Sequence, residues 1–314
     1  MKKAVFVFAI IFLLTGRAFA QSFSIIPLGV HGGIEENNLS AYLAAPFGTK
    51  NFVSLDAGTL HAGLEKAIGT MALPGPPDSV LKKNIKGYLI SHPHMDHLAG
   101  LVINSPDDSP KPIYARPFCL DVFKTHYFSW KSWANFANEG EKPALGKYTY
   151  VALGATAETE LKNTGMQVKA YPLSHTGAGL SSAFLVRSKE DYLLYLGDTG
   201  ADSIEKTKEL SQLWQAVAPL IKSKKLKGIF IETSYPDEQP ESKLFGHLTP
   251  KLLMAELQKL AVFTGKNMLK DLPVIITHIK PAGDNEQKIR AQLAMQNALG
   301  VKLFFPEQGR SFNL

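Results

Sequence analysis

The sequence has 314 residues, is 45% hydrophobic and 20% charged, and carries a formal net charge of +6. That composition suits one large or two small globular domains with an ample core. A single cysteine, Cys119, excludes an internal disulfide, so stability must come from packing or from bound metal.

The first twenty residues read as a secretory signal peptide and not as part of the fold. Lys2 and Lys3 form a basic start. The apolar run 4–14 is shorter than the roughly 20 residues a membrane span needs. Ala18-Phe19-Ala20 is an A-x-A cleavage site, so the mature chain is expected to begin at Gln21. This predicts a periplasmic protein, with a retained membrane anchor as the weaker alternative and no cysteine at the cut to carry a lipid. Loss of Lys2, Lys3 and Arg17 removes three basic residues, so the formal +6 becomes +3. The basic balance is therefore weak support for nucleic-acid or membrane binding. The expected domain plan is 1–20 leader and 21–314 a single domain.

Within 21–314, short apolar runs predict strands at 40–45, 51–55, 87–90, 168–173, 183–186, 192–196, 228–231 and 274–277. Leu210, Leu213, Trp214, Val217 and Ile221 mark one helical face. Thr249-Pro250 predicts an N-cap followed by a proline in the first turn, ahead of Leu253, Leu257 and Leu260. Asp284 is expected to cap a last helix carrying Ile289 and Leu293. Hairpin-like strands followed by strands alternating with helices predict a layered α/β protein. The stretches 71–78 and 118–165 read as insertions, the second a lid-like one with Tyr127, Phe128, Trp130 and Trp133 close together; that aromatic cluster is expected to pack the lid and not to stack on a ligand. Cys119, between Phe118 and Leu120, reads as a small buried residue, less readily as a thiolate ligand.

The chemistry concentrates in His92-Pro93-His94-Met95-Asp96-His97, directly after the strand at 87–90. Three imidazoles and a carboxylate in six residues point to a metal site on a loop that leaves a strand. Single ligand-type residues follow three later strands: His175, Asp198 and His278. Each alone has an ordinary structural explanation, an Asp in Gly-Asp-Thr-Gly being a routine turn residue. Their order along the chain strengthens the metal reading, because a two-metal hydrolytic site needs about six or seven N/O ligands from distant parts of the chain.

This pattern resembles the ligand set of the metallo-β-lactamase fold over nearly the whole chain after residue 20. The resemblance implies an αββα sandwich with a dinuclear site at one edge, two divalent ions, usually zinc. It further implies that His92, His94 and His175 hold the first metal, that Asp96, His97 and His278 hold the second, and that Asp198 bridges. Asp56, after the strand 51–55, matches the acidic residue that supports the ligands from outside. Because this fold hosts many reactions, the longer match matters more. His92 through Gly100 to Ser105-Pro106 resembles the signature of the class II cyclic-nucleotide phosphodiesterases, with Met95 where leucine is commoner. The blocks at 231–236, 246–250 and 277–281 resemble later blocks of that family.

That resemblance implies a hydrolase converting 3′,5′-cyclic nucleotides, cAMP with cGMP as a second candidate, to 5′-nucleotides by a two-metal-activated hydroxide. Asp96 would then belong to both the metal site and the catalytic group. The departing 3′ oxygen needs a proton, and His247 is the candidate donor, with Glu232 keeping it oriented and protonated. This pair resembles the Glu/His arrangement of the fold's RNA-processing nucleases; a packing or capping role is its alternative. His31, His61 and His126 carry no assigned role, and Asn37 and Asn38 could touch substrate or serve only a turn. The competing functions are another hydrolase of the fold, acting on a lactam, a thioester or RNA, and a non-catalytic periplasmic nucleotide-binding protein. The mature charge of +3 argues against an RNA enzyme, and a full ligand set argues against a dead site. The expected partner is a small cyclic nucleotide and not a nucleic acid, and a homodimer is left open.

Overall fold

The computed structural model describes residues 21–314, so the expected leader and its cleavage site lie outside the described residues. Its strands are β1 (Phe23–Gly29), β2 (Ala41–Pro46), β3 (Phe52–Leu55), β4 (Ile85–Leu89), β5 (Lys111–Ala115), β6 (Tyr148–Ala152), β7 (Thr159–Leu161), β8 (Met166–Leu173), β9 (Ser181–Ser188), β10 (Asp191–Leu196), β11 (Leu226–Glu232), β12 (Pro273–Thr277), β13 (Lys302–Phe304) and β14 (Phe312–Asn313). Its helices are α1 (His61–Gly69), α2 (Pro77–Lys83), α3 (Met95–Asn104), α4 (Pro117–Val122), α5 (Asp202–Glu205), α6 (Glu209–Lys222), α7 (Pro250–Thr264) and α8 (Asn285–Gln296).

Among the described residues the strands form two sheets, ordered β14-β1-β2-β3-β4-β5-β6 and β13-β12-β11-β10-β9-β8-β7. Each is antiparallel on one side and parallel on the other: β3, β4, β5 and β6 run parallel in the first, β10, β11, β12 and β13 in the second. The expected change from hairpins to helix-linked strands therefore occurs twice, once per sheet. Parallel neighbours need crossovers, and α1 to α4 supply them for the first sheet and α6 to α8 for the second.

Strand alternation sorts the core into three layers. Tyr42 and Ala44 of β2 face Phe184, Tyr195 and Phe230 between the sheets. Ala41, Leu43 and Ala45 face the outer layer with Leu64, Leu98 and Leu101 of the helices. On the other side Leu194, Ile229 and Ile231 meet the buried stripe of α6, led by Leu213 and Trp214. The molecule is thus an αββα sandwich, as the ligand pattern implied.

All three predicted helices form, the last with Ile289 and Leu293 buried, and one expected cap fails. The α6 stripe is buried, and Thr249 accepts the Leu252 N–H at 3.4 Å ahead of Pro250. Asp284 occupies the position before α8 but caps nothing with its side chain; its carboxylate pairs with Lys288 at 3.0 Å instead. Parts of the 118–165 stretch belong to the framework, since Phe123 and Phe128 lie in the outer core and β6 and β7 join the sheets. Cys119 is buried in that core, and burial pushes its thiol well up.

One polar cluster sits inside the outer layer beside β4. Asp108 accepts the hydroxyls of Tyr88 at 2.7 Å and Tyr148 at 2.9 Å and the Ser109 N–H at 2.7 Å. Lys111 completes it, 2.7 Å from Asp108 and donating to the Leu81 carbonyl at 2.7 Å.

Candidate metal centre

The sequence-predicted ligands, and Asp56 expected to support them, leave the same edge of the sandwich, where the parallel strands end. Asp56 follows β3, His92 and His94 follow β4, His175 follows β8, Asp198 follows β10, and His278 follows β12. Ligand sites at the carboxyl ends of strands are general in α/β sheets. The His92–His97 run straddles an element boundary, because α3 starts at Met95. That places His97, Leu98 and Leu101 on the buried face, while His94 remains on the exposed rim. Asp56 and His278 hold left-handed backbone conformations, with φ of 55° and 56°. Such conformations cost energy in non-glycine residues and cluster at functional sites.

The ring nitrogens sort into two classes. His97 Nδ1 lies 2.8 Å from Asp56 Oδ2, and His175 Nδ1 lies 2.8 Å from the Gly246 carbonyl. Ser91 donates to Asp56 at 2.8 Å, which leaves its oxygen to accept from His92 Nδ1 at 3.0 Å. Ser234 donates to Glu232 at 2.6 Å and likewise accepts from His278 Nδ1 at 3.0 Å. Each of the four rings therefore turns Nδ1 outward to a partner and Nε2 toward the interior.

Those Nε2 atoms converge on Asp198. They lie 3.8 Å (His92), 3.3 Å (His97), 3.9 Å (His175) and 3.2 Å (His278) from its carboxylate. His94 Nδ1 is 3.2 Å from His175 Nε2, and Asp96 Oδ2 is 3.1 Å from His278 Nε2. The Nε2 atoms of His92 and His97 are buried without a hydrogen-bond partner. Buried nitrogens with a lone pair and no donor facing them are what a cation would satisfy. The groups His92–His94–His175 and Asp96–His97–His278 each offer ligand atoms within 4.8 Å of one another, and Asp198 joins His92 and His97 in another. This donor set of imidazoles and carboxylates suits divalent metal ions.

The electrostatics agree. Burial holds the His92 imidazole well below its usual range and pushes His175 down to about 4, so both are neutral ligand forms. Against the cost of burial, neighbouring imidazoles hold the Asp198 carboxyl well below the carboxylate range. For His97, burial is outweighed by Asp198 and Asp56, which draw a proton onto the ring. The cluster thus asks for positive charge at its centre.

Glu232 and His247 stand beside it. Glu232 is wholly buried and accepts from Thr199 N, Ser234 Oγ and Leu248 N. His247 Nδ1 lies 2.8 Å from Glu232 Oε1. Burial disfavours its charged form, but the charge and hydrogen bond of Glu232 prevail and raise its pKa. His247 also falls within metal-ligand reach of His175 and Asp198.

Sequence reasoning missed the supporting residues. Ser91, Ser234, the Gly246 carbonyl and Tyr195, whose hydroxyl donates to Asp56 at 2.7 Å, orient the ligands without belonging to a ligand-type pattern. A Cβ on Gly32 would come within 2.2 Å of the His278 ring, and one on Gly246, at φ 76°, within 2.5 Å of Thr176 N. Of the unassigned histidines, His31 pairs with Glu35 at 2.8 Å, His61 sits 3.4 Å from Glu65 at the start of α1, and His126 is exposed beside Thr125. Asn38 spends its side chain on Val30 N and His31.

The family model of class-II cAMP phosphodiesterases matches residues 78–309. The chain belongs to this family of cyclic-nucleotide phosphodiesterases. A 3′,5′-cyclic-nucleotide phosphodiesterase of Aliivibrio fischeri is 43% identical, with 98% of each chain covered. A cAMP/cGMP-dependent 3′,5′-cAMP/cGMP phosphodiesterase of Dictyostelium discoideum is 30% identical over 92% of this chain and 80% of its own. Among solved structures, unliganded yeast PDE1 superposes with a TM-score of 0.82 at 23% identity, covering 94% of this chain and all of that one. The metallo-β-lactamase fold protein YhfI of Bacillus subtilis superposes with a TM-score of 0.59 at 14% identity, covering 92% and 99%. The class II phosphodiesterase thus carries the metallo-β-lactamase fold.

Proposed function

We propose that this phosphodiesterase is an exported enzyme that opens the 3′,5′-cyclic phosphate of cAMP or cGMP to the 5′-nucleotide at a two-metal centre, with zinc the preferred ion. The observation that carries the metal reading is the set of four buried imidazoles, each tied outward at Nδ1 and turned inward at Nε2 onto Asp198. His92, His94 and His175 would hold one ion, Asp96, His97 and His278 the other, and Asp198 would serve both.

Two divalent ions there would offset the charge of the phosphodiester and make a bound water acidic near neutral pH. The protein's own residues supply the rest. Asp56 braces His97 directly and His92 through Ser91, while Glu232 braces His278 through Ser234. Asp96 adds a second duty, accepting the Gly33 N–H at 3.0 Å and so tying the rim loop to the site. His247, kept protonated by Glu232, would give its Nε2 proton to the departing 3′ oxygen, a contribution of about 10²–10⁴ in rate. The leader-like segment 1–20 supports export to the periplasm, where the substrate would be a free small molecule.

The test is to load the mature protein with metal, incubate it with cAMP and with cGMP, and identify the products chromatographically. A 5′-nucleotide is expected. Bound metal without a 5′-nucleotide from either substrate overturns the reading, and metal well under two equivalents overturns the dinuclear part of it.

A further inference from the structure

Lys280 stands at the rim of the metal centre, and no role in the chemistry above uses it. Its backbone is held on both sides, with its N–H on the Ser234 carbonyl at 3.1 Å and its own carbonyl accepting from Ala282 N at 2.9 Å and Asn285 at 3.2 Å. Pro281 follows and restricts it to extended conformations. The chain path at Lys280 is therefore tied to the same Ser234 that orients His278.

The ammonium group lies 5.9 Å from the centre of the Tyr235 ring, within cation–π range. Tyr235 in turn packs edge-on against His247, ring centres 5.8 Å apart. On the other side, a Cβ built on Gly33 would lie 3.6 Å from Lys280 Nζ, and Gly33 is the residue whose N–H is fixed on Asp96. Lys280 Nζ thus sits between the residue bound to Asp96 and the ring that backs His247.

Among the described residues Lys280 forms no ion pair; Glu35 and Glu286 pair with His31 and Arg290. A half-buried lysine with no carboxylate partner, beside a metal centre that would receive a phosphodiester monoanion, matches the way lysine binds phosphate, as a point charge. We propose that Lys280, carried on the face of Tyr235, grips a non-bridging phosphate oxygen of the substrate and sets it between Asp96 and His247. This rests on the cyclic-nucleotide reading above.

The test compares the metal-loaded wild type with Lys280→Met and Lys280→Arg. Lys280→Met is expected to raise KM for cAMP about tenfold with kcat changed far less, at normal metal content. Calorimetry with AMP should show a similar loss of affinity, and Lys280→Arg should restore most of both. Unchanged AMP affinity in Lys280→Met overturns the assignment, as does loss of metal, which would make Lys280 a structural brace. If the wild type fails to hydrolyse cAMP, the activity reading falls, and the AMP calorimetry still decides Lys280 by itself.

Discussion

Two buried polar clusters of this protein invite comparison. Around Asp108, two tyrosine hydroxyls, a lysine and a backbone N–H use the carboxylate fully, and Lys111 also donates to a carbonyl. Around Asp198, histidines crowd in from both sheets, yet two buried Nε2 atoms have no partner. Both clusters bury carboxylates beside tyrosine, and only one is complete without help. A satisfied cluster holds structure, whereas an unsatisfied one implies something that arrives. Composition alone would not separate them; donor and acceptor accounting does.

The comparison can be broken by experiment, in descending order of expected effect on turnover. His94→Ala, or chelation, should abolish activity and lower metal content together, read by elemental analysis beside the assay. Full activity from metal-free protein would end the distinction outright. His247→Ala should slow turnover about 10²–10⁴-fold with metal retained; loss of metal in that variant would transfer His247 to the ligands. Ser234→Ala, which removes the brace between Glu232 and His278, should cost about 10–100-fold in metal affinity or activity, measured by competition with a chromophoric chelator. Asp108→Ala should leave kcat of the folded protein unchanged while lowering stability by about 3–5 kcal/mol, because Lys111 loses its buried counter-charge. Thermal unfolding with and without saturating metal checks it, and a fall in metal affinity would show that the two clusters are not independent.

How much of this was legible beforehand follows from the same logic. Ligands announce themselves, because His92, His94, Asp96, His97, His175, Asp198 and His278 are chemically distinctive and each follows a strand. Their supports do not. The Tyr195 hydroxyl reaches Asp56 across 139 positions, and a tyrosine in an apolar strand looks like core. Two strands were also hidden by proline. Pro27 interrupts β1 at a register shift, and Pro112 falls at the start of β5, so both runs read as poor strands although both are built into the first sheet. The two-sheet division was unreadable for a related reason: strand pattern reports a face, not which sheet the face belongs to.

The distribution of the ligands has one more consequence. His92, His94, Asp96 and His97 descend from the first sheet, and His175, Asp198 and His278 from the second. A chain with no disulfide would then be cross-linked between its two halves by its cofactor, and by mass action anything that binds only the folded form stabilises it, by about 4 kcal/mol at a thousandfold excess over Kd. The linkage is reciprocal: a substitution such as Phe230→Leu, which loosens the packing of one sheet on the other, should weaken metal binding. Affinity for the ion becomes a gauge of how firmly the two halves of the sandwich are clasped.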